Sequence, residues 1–167
     1  MKITSETFEA LLQCPTKAYS IYHSVPAEVR TITQLAKDYQ EAFHRRISER
    51  LRETVSSDKL CIGTPSGEAL RQRRYSIALD CGFETSSIHS EVHGINLRLS
   101  QAADGNSYVP FRFCSGEKIS TTDKLLLAFD AFAFSQATGM NPRIGELIAG
   151  QQLRKIRVVL APLYVKV

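Results

Sequence analysis

The chain has 167 residues, 43% apolar and 23% charged, with a formal net charge of +4. That length suits one domain able to bury a core, and the composition excludes disordered, collagen-like and coiled-coil chains. No apolar run reaches the ~20 residues of a membrane span, and Met1 to Glu6 lack the apolar stretch of a secretory signal; the expectation is one domain over 1–167, soluble and cytoplasmic, with no membrane partner.

Residues 4–23 open with a capping-box pattern, Thr4 or Ser5 ahead of Glu6 and Glu9, and continue with Phe8, Leu11 and Leu12. This predicts a helix. Cys14-Pro15 breaks it, and a second short helix follows from Thr16 to His23. Over 31–55, Leu35, Tyr39, Phe43, Ile47, Leu51 and Val55 recur every four residues, the stripe of a long amphipathic helix. Its other side alternates Arg and Glu, with Arg45 and Glu49 at i,i+4 spacing.

A turn at Gly63–Gly67 precedes a short helix near Glu68–Arg73. Strands are predicted at 75–83, 87–99 and 107–114, the last two joined through Asp104-Gly105-Asn106. Thr122 is the expected cap of a helix over 123–138 that Gly139 ends. That helix is apolar almost all round, which predicts burial on most sides. Strands at 144–149 and 154–161 follow, parted by Gly150. The fold class is α/β (α+β): a mixed β-sheet flanked by helices, in the order α-β-β-β-α-β-β. The sequence stops inside an apolar, β-branched run from Arg157 to Val167, as a domain ending on a strand would, or a piece of a longer chain.

Arg71, Arg73 and Arg74 fall within four residues, and Arg154, Lys155 and Arg157 lead a stretch to Val167 that has no acid. Arg45 and Arg46 lie on the polar face of the long helix. Such basic groups either meet phosphate or form solvated faces. The cysteines at 14, 61, 81 and 114 contain no C-x-x-C pair, so zinc ribbons and redox motifs are unsupported and free thiols are expected.

Four segments carry a likeness in chain order. They are Ile3-Thr4 with Leu12-Gln13-Cys14-Pro15-Thr16-Lys17-Ala18-Tyr19; His44; Tyr108-Val109-Pro110-Phe111-Arg112-Phe113-Cys114; and Gly139-Met140-Asn141-Pro142 with Gly145-Glu146-Leu147-Ile148-Ala149-Gly150. Over nearly its whole length the chain resembles the PD-(D/E)XK nuclease superfamily, in particular its RecB-like branch, which includes the CRISPR-associated exonucleases. The resemblance implies a restriction-endonuclease-like fold and a role in DNA processing beside a helicase or in a CRISPR-type system. It also implies a centre in which an Asp, then an Asp or Glu, then a Lys gather at Mg²⁺ or Mn²⁺, whose bound water attacks the phosphodiester. His44 is similar to the histidine such enzymes use as a metal ligand.

The chain departs from that pattern at each position. His93 stands at the first Asp, Arg112 at the second carboxylate and Cys114 at the Lys, and Leu126 and Asp130 stand in the later Gln-x-x-x-Tyr signature. A shift of two residues would put Glu91 at the first position. An arginine in place of a ligand carboxylate repels the cation. The expectation is therefore a catalytically degenerate, nucleic-acid-binding or scaffolding domain with no cofactor. One alternative is an active nuclease rebuilt around His44, Glu91 and His93 with one divalent metal (Mg, Mn or Zn). Another is a purely structural, protein-interaction domain. The resemblance also implies, for part of this branch, an iron–sulfur cluster that needs one early cysteine, matched by Cys14, and three late ones; either those lie beyond this sequence or the cluster is absent, and none is expected in this chain.

Strand alternation places Arg112 and Cys114 on one face, and His89, Glu91 and His93 on one face with Ile95, Leu97 and Leu99. Together with His44 these positions are expected to make one site. Arg112 has two candidate partners, Glu91 and Asp130. Asp130 itself is expected at solvent. Phe111, Phe113, Phe129, Phe132 and Phe134 are read as core.

Overall fold

The computed structural model describes residues 2–25, 31–98 and 107–167. The elements run β1 (Ile3–Thr4), α1 (Ser5–Gln13), α2 (Pro15–Tyr22), α3 (Thr31–Thr54), β2 (Leu60–Ile62), α4 (Gly67–Arg71), β3 (Ile77–Glu84), β4 (Ile88–Arg98), β5 (Ser107–Cys114), α5 (Thr121–Thr138), β6 (Ile144–Ala149), β7 (Arg154–Val159) and α6 (Ala161–Tyr164). The strands form one mixed sheet in the order β2-β3-β4-β5-β6-β7, with β1 added to β4. β5 and β6 are parallel, joined by the α5 crossover. Among the described residues no helix is long and apolar enough to cross a membrane.

The sheet has two covered faces. On one, α5 sets Ala133 and Phe134 against Ala78, Cys81, Val92 and Ile95, and Leu127 and Ala131 against Leu147 and Ala149. Behind α5 lies α1, whose Phe8 ring stacks on Phe129 at 4.8 Å. That explains a helix apolar on nearly every side. On the other face, Phe43 and Ile47 of α3 pack on Ile77, Leu79, Phe111, Phe113 and Ile148. The stripe of α3 outruns the sheet: Leu35 and Tyr39 are 63% and 56% exposed.

Several boundaries differ from expectation for local reasons. The cap of α5 is Ser120, not Thr122. Its Oγ accepts from Asp123 N at 3.1 Å, while Asp123 Oδ2 accepts from Ser120 N at 2.8 Å, a full capping box. The last strand stops at Val159, and Pro162 sits in the first turn of α6, where a missing N–H does no harm. The hairpin turn at 104–106 and Leu99 lie outside the described residues.

A break in strand alternation shapes the centre of the sheet. Leu79 and Asp80 both turn toward α3: Leu79 joins Phe43, and Asp80 meets His44 and Arg52. Cys81 and Phe83 then resume on the α5 side. Asp80 has φ +57°, a left-handed conformation that Asp tolerates better than most residues. On β4 the same break leaves Val92 and Ile95, three apart, both on the α5 side, with His93 on the α3 side. The register holds through it, Leu79 opposite Gly94 and Cys81 opposite Val92. A Cβ on Gly94 would sit 2.2 Å from Phe111 Cζ and 2.7 Å from Ala78 O, so only glycine fits. The expectation that His93 shares a face with Ile95 and Leu97 is corrected by this break.

Candidate functional site

The β4–β5 ladder ends at Gly94 and Phe111. Beyond it β4 pairs with β1 instead, Ile3 with Ile88 and Thr4 with His89. At this fork the imidazole of His93 takes over from backbone: its Nδ1 accepts from Phe113 N at 2.9 Å. Accepting there fixes His93 as the neutral ring with its proton on Nε2. The His44 ring stacks on it, centroids 4.3 Å apart and planes 19° from parallel.

Burial holds His93 well below the ordinary histidine range, and the charges of Arg112 and His44 push the same way. Burial also lowers His44, against the opposing pull of Asp80. His44 Nε2 lies 3.0 Å from Asp80 Oδ1. Arg52 Nη2 holds the other oxygen of Asp80 at 3.1 Å. Glu41, His44, Arg45, Ser48, Glu49, Arg52 and Asp80 line a cleft of about 250 Å³ here.

A second polar cluster lies across the sheet. Arg112 Nη1 donates to Asp130 Oδ2 at 2.8 Å, and Asp130 is 0% exposed. Ser90 Oγ donates to Asp130 Oδ1 at 2.6 Å, and Ser5 Oγ reaches the same oxygen at 3.3 Å. Burial opposes the charge on Arg112, and Asp130 more than offsets it, leaving the guanidinium more basic than usual. This corrects the expectation of a solvent-facing Asp130: α1 closes the side of α5 that the helical wheel leaves open. Cys114 is buried on the same face against Leu127 and Leu147, and burial pushes its thiol up to about 12.

The structure thus brings His44 to His93, and keeps Arg112 and Cys114 together on the opposite face. It does not gather them into one site. The set His44, Glu91 and His93 is not assembled either. The Glu91 side chain is 87% exposed, with His89 at 3.9 Å as its ion partner. Among the described residues no group of three or more His, Cys, Asp or Glu is arranged to hold a metal ion.

The basic residues are all exposed, but they separate. Arg45 and Arg46 lie on α3, Arg46 over the Phe43 ring at 5.5 Å. Arg71, Arg73 and Arg74 lead into the start of β3. Arg154, Lys155 and Arg157 lie on the edge strand β7, where Arg154 pairs with Ala149 at the far end of β6 and donates to Glu117 O at 3.0 Å. They do not make one continuous stripe.

Sequence reasoning passed over Asp80, Ser90, Arg52 and the ion pair between Arg98 and Glu146, the latter 2% exposed. The available signal was a single acid inside an apolar strand, as in Ile77-Ala78-Leu79-Asp80-Cys81 and Ile144-Gly145-Glu146-Leu147-Ile148. A scan against protein-family models finds no match to the chain, and a search of curated proteins finds none.

Proposed function

We propose that this is a nuclease-like domain of the PD-(D/E)XK type that has lost its catalytic centre. It binds nucleic acid weakly in the cytoplasm or braces a helicase or other DNA-processing partner. The observation that carries the reading is Arg112. It stands on β5 where the resemblance calls for a metal-binding carboxylate, and its cation is tied to buried Asp130. A fixed guanidinium there opposes a divalent ion instead of holding it. The Lys position holds Cys114, a buried thiol with no positive charge to offer a phosphodiester. The exposed arginines of α3, α4 and β7 supply phosphate contacts.

Fluorescence anisotropy with a labelled single strand across a salt series tests this. The expected result is binding in the ~10⁻⁴–10⁻⁶ M range that weakens with salt, with a log–log slope of about −0.7 per phosphate contact. Absence of binding, or binding indifferent to salt, overturns the nucleic-acid part.

A further inference from the structure

The end of the sheet where β3, β5 and β6 begin holds a cleft of about 320 Å³, the low end of the ~300–1,000 Å³ common for small-molecule sites. Its floor is apolar, made by Leu70, Tyr108, Met140 and Pro142; Asn141 offers an amide at the rim, and Arg71 and Arg73 stand at its mouth. Among the described residues no carboxylate lines it. Among them, too, neither guanidinium is in an ion pair. Two uncompensated cations beside an apolar floor fit a ligand with an anionic group joined to a flat, weakly polar body.

Arg73 carries the second observation. It has φ +54°, a left-handed conformation that glycine adopts most easily. The hydrogen bonds explain the shape. Arg73 N donates to Leu70 O at 3.1 Å and Arg74 N to Ala69 O at 3.0 Å. This is the Schellman ending of α4, with Arg73 at the position that helices usually give to glycine. These bonds also occupy the carbonyls of Ala69 and Leu70, which would otherwise repel an anion. An arginine therefore stands, at a conformational cost, where glycine would serve the fold better. Such an outlier beside a cleft points to a job for its side chain.

We infer that this cleft binds a nucleotide, its phosphate between Arg71 and Arg73 and its base on the floor formed by Tyr108, Met140 and Pro142. The ligand class rests on the nucleic-acid reading above; the cleft rests on its own geometry. The nucleotide comes either free or as one unit of a single strand. Arginine suits the phosphate because its planar fork gives paired donors.

The test compares wild type, Arg73→Gly, Arg71→Ala and a Lys155→Ala/Arg157→Ala double variant, with dTMP and a labelled dT₁₅ strand as probes and thermal unfolding alongside. The expected result is that Arg73→Gly folds with an unchanged or higher Tm yet binds about ten-fold more weakly, the loss of one charge-assisted contact. Arg71→Ala weakens binding similarly, while the β7 variant leaves dTMP binding unchanged. Strand binding that depends on Arg73 without dTMP binding supports the cleft with the strand as source. Binding of dTMP without strand binding supports the cleft and overturns the nucleic-acid reading. Strand binding that neither cleft variant alters overturns the cleft and leaves that reading standing. No binding of either probe overturns both.

Discussion

His93 and Arg112 stand across from each other at the fork between β4 and β5, one step past the last paired residues, yet face opposite sides of the sheet. His93 turns toward α3 and replaces a lost ladder partner for Phe113 N. Arg112 turns toward α5 and meets Asp130. One strand junction thus builds two polar clusters, each bonded internally, in place of a single open site. Both clusters have consequences for stability.

Stability should depend on pH through the histidine pair. His93 and His44 both have folded values below the ordinary histidine value. Protonation therefore favours the unfolded chain. Their contribution is complete above about pH 6.5 and is lost as pH falls below it, by up to about 1.4 kcal/mol per pH unit for each histidine. Thermal unfolding should show a falling Tm from about pH 7 to pH 5, where carboxylates are still largely ionised. His93→Gln should flatten part of that slope. A Tm constant over this range would contradict the neutral assignment of His93.

Asp80 opposes the lowering of His44. Asp80→Asn keeps a residue that tolerates φ +57° and removes the charge. The His44 titration, followed by NMR, should then move to still lower pH. An unmoved titration would contradict the pull of Asp80 on His44.

Breaking the Arg112–Asp130 pair should be costly because it strands a buried charge. Arg112→Ala is expected to lower stability by about 3–5 kcal/mol in urea unfolding. The double variant Arg112→Met/Asp130→Leu should recover most of it, since apolar groups of similar size replace both ions. A loss under about 1 kcal/mol in the single variant would mean that Ser90 and Ser5 alone satisfy Asp130.

Gly94→Ala should destabilise by at least about 2–3 kcal/mol, the upper range for overpacking, because its Cβ would meet both a side chain and backbone. Adding Phe111→Leu should restore only part, since Ala78 O remains in the way. Full recovery would show that the phenyl ring alone enforces the glycine.

The long elements were legible because their periodic apolar runs are long. The stripe from Phe43 to Val55, the all-round apolar pattern of α5 and the strands expected at 75–83, 87–99 and 107–114 follow from hydrophobic spacing, and the strands observed at 77–84, 88–98 and 107–114 lie within one or two residues of them. The two-residue β1 and three-residue β2 were not, since each exists only by pairing with β4 or β3. The pairing of His44 with His93 was half visible: the two were expected in one site. The separation of His93 from Arg112 and Cys114 was not visible. It depends on the left-handed Asp80 and on Gly94, and an alternation rule carries no sign of either. Asp130 was misplaced for a related reason, because a helical wheel does not reveal that Phe8 of α1 covers the far side of α5.

The most direct measurement is a cleavage assay: a labelled single DNA strand incubated with the protein and Mg²⁺ or Mn²⁺, read on a denaturing gel beside a His93→Ala control. On the proposed reading, Arg112 and Cys114 replace a nuclease's carboxylate and lysine, and the expected result is an intact strand even at high protein concentration. Metal-dependent cleavage that disappears in His93→Ala would contradict the loss of the centre and would place a working one at the His44–His93 pair.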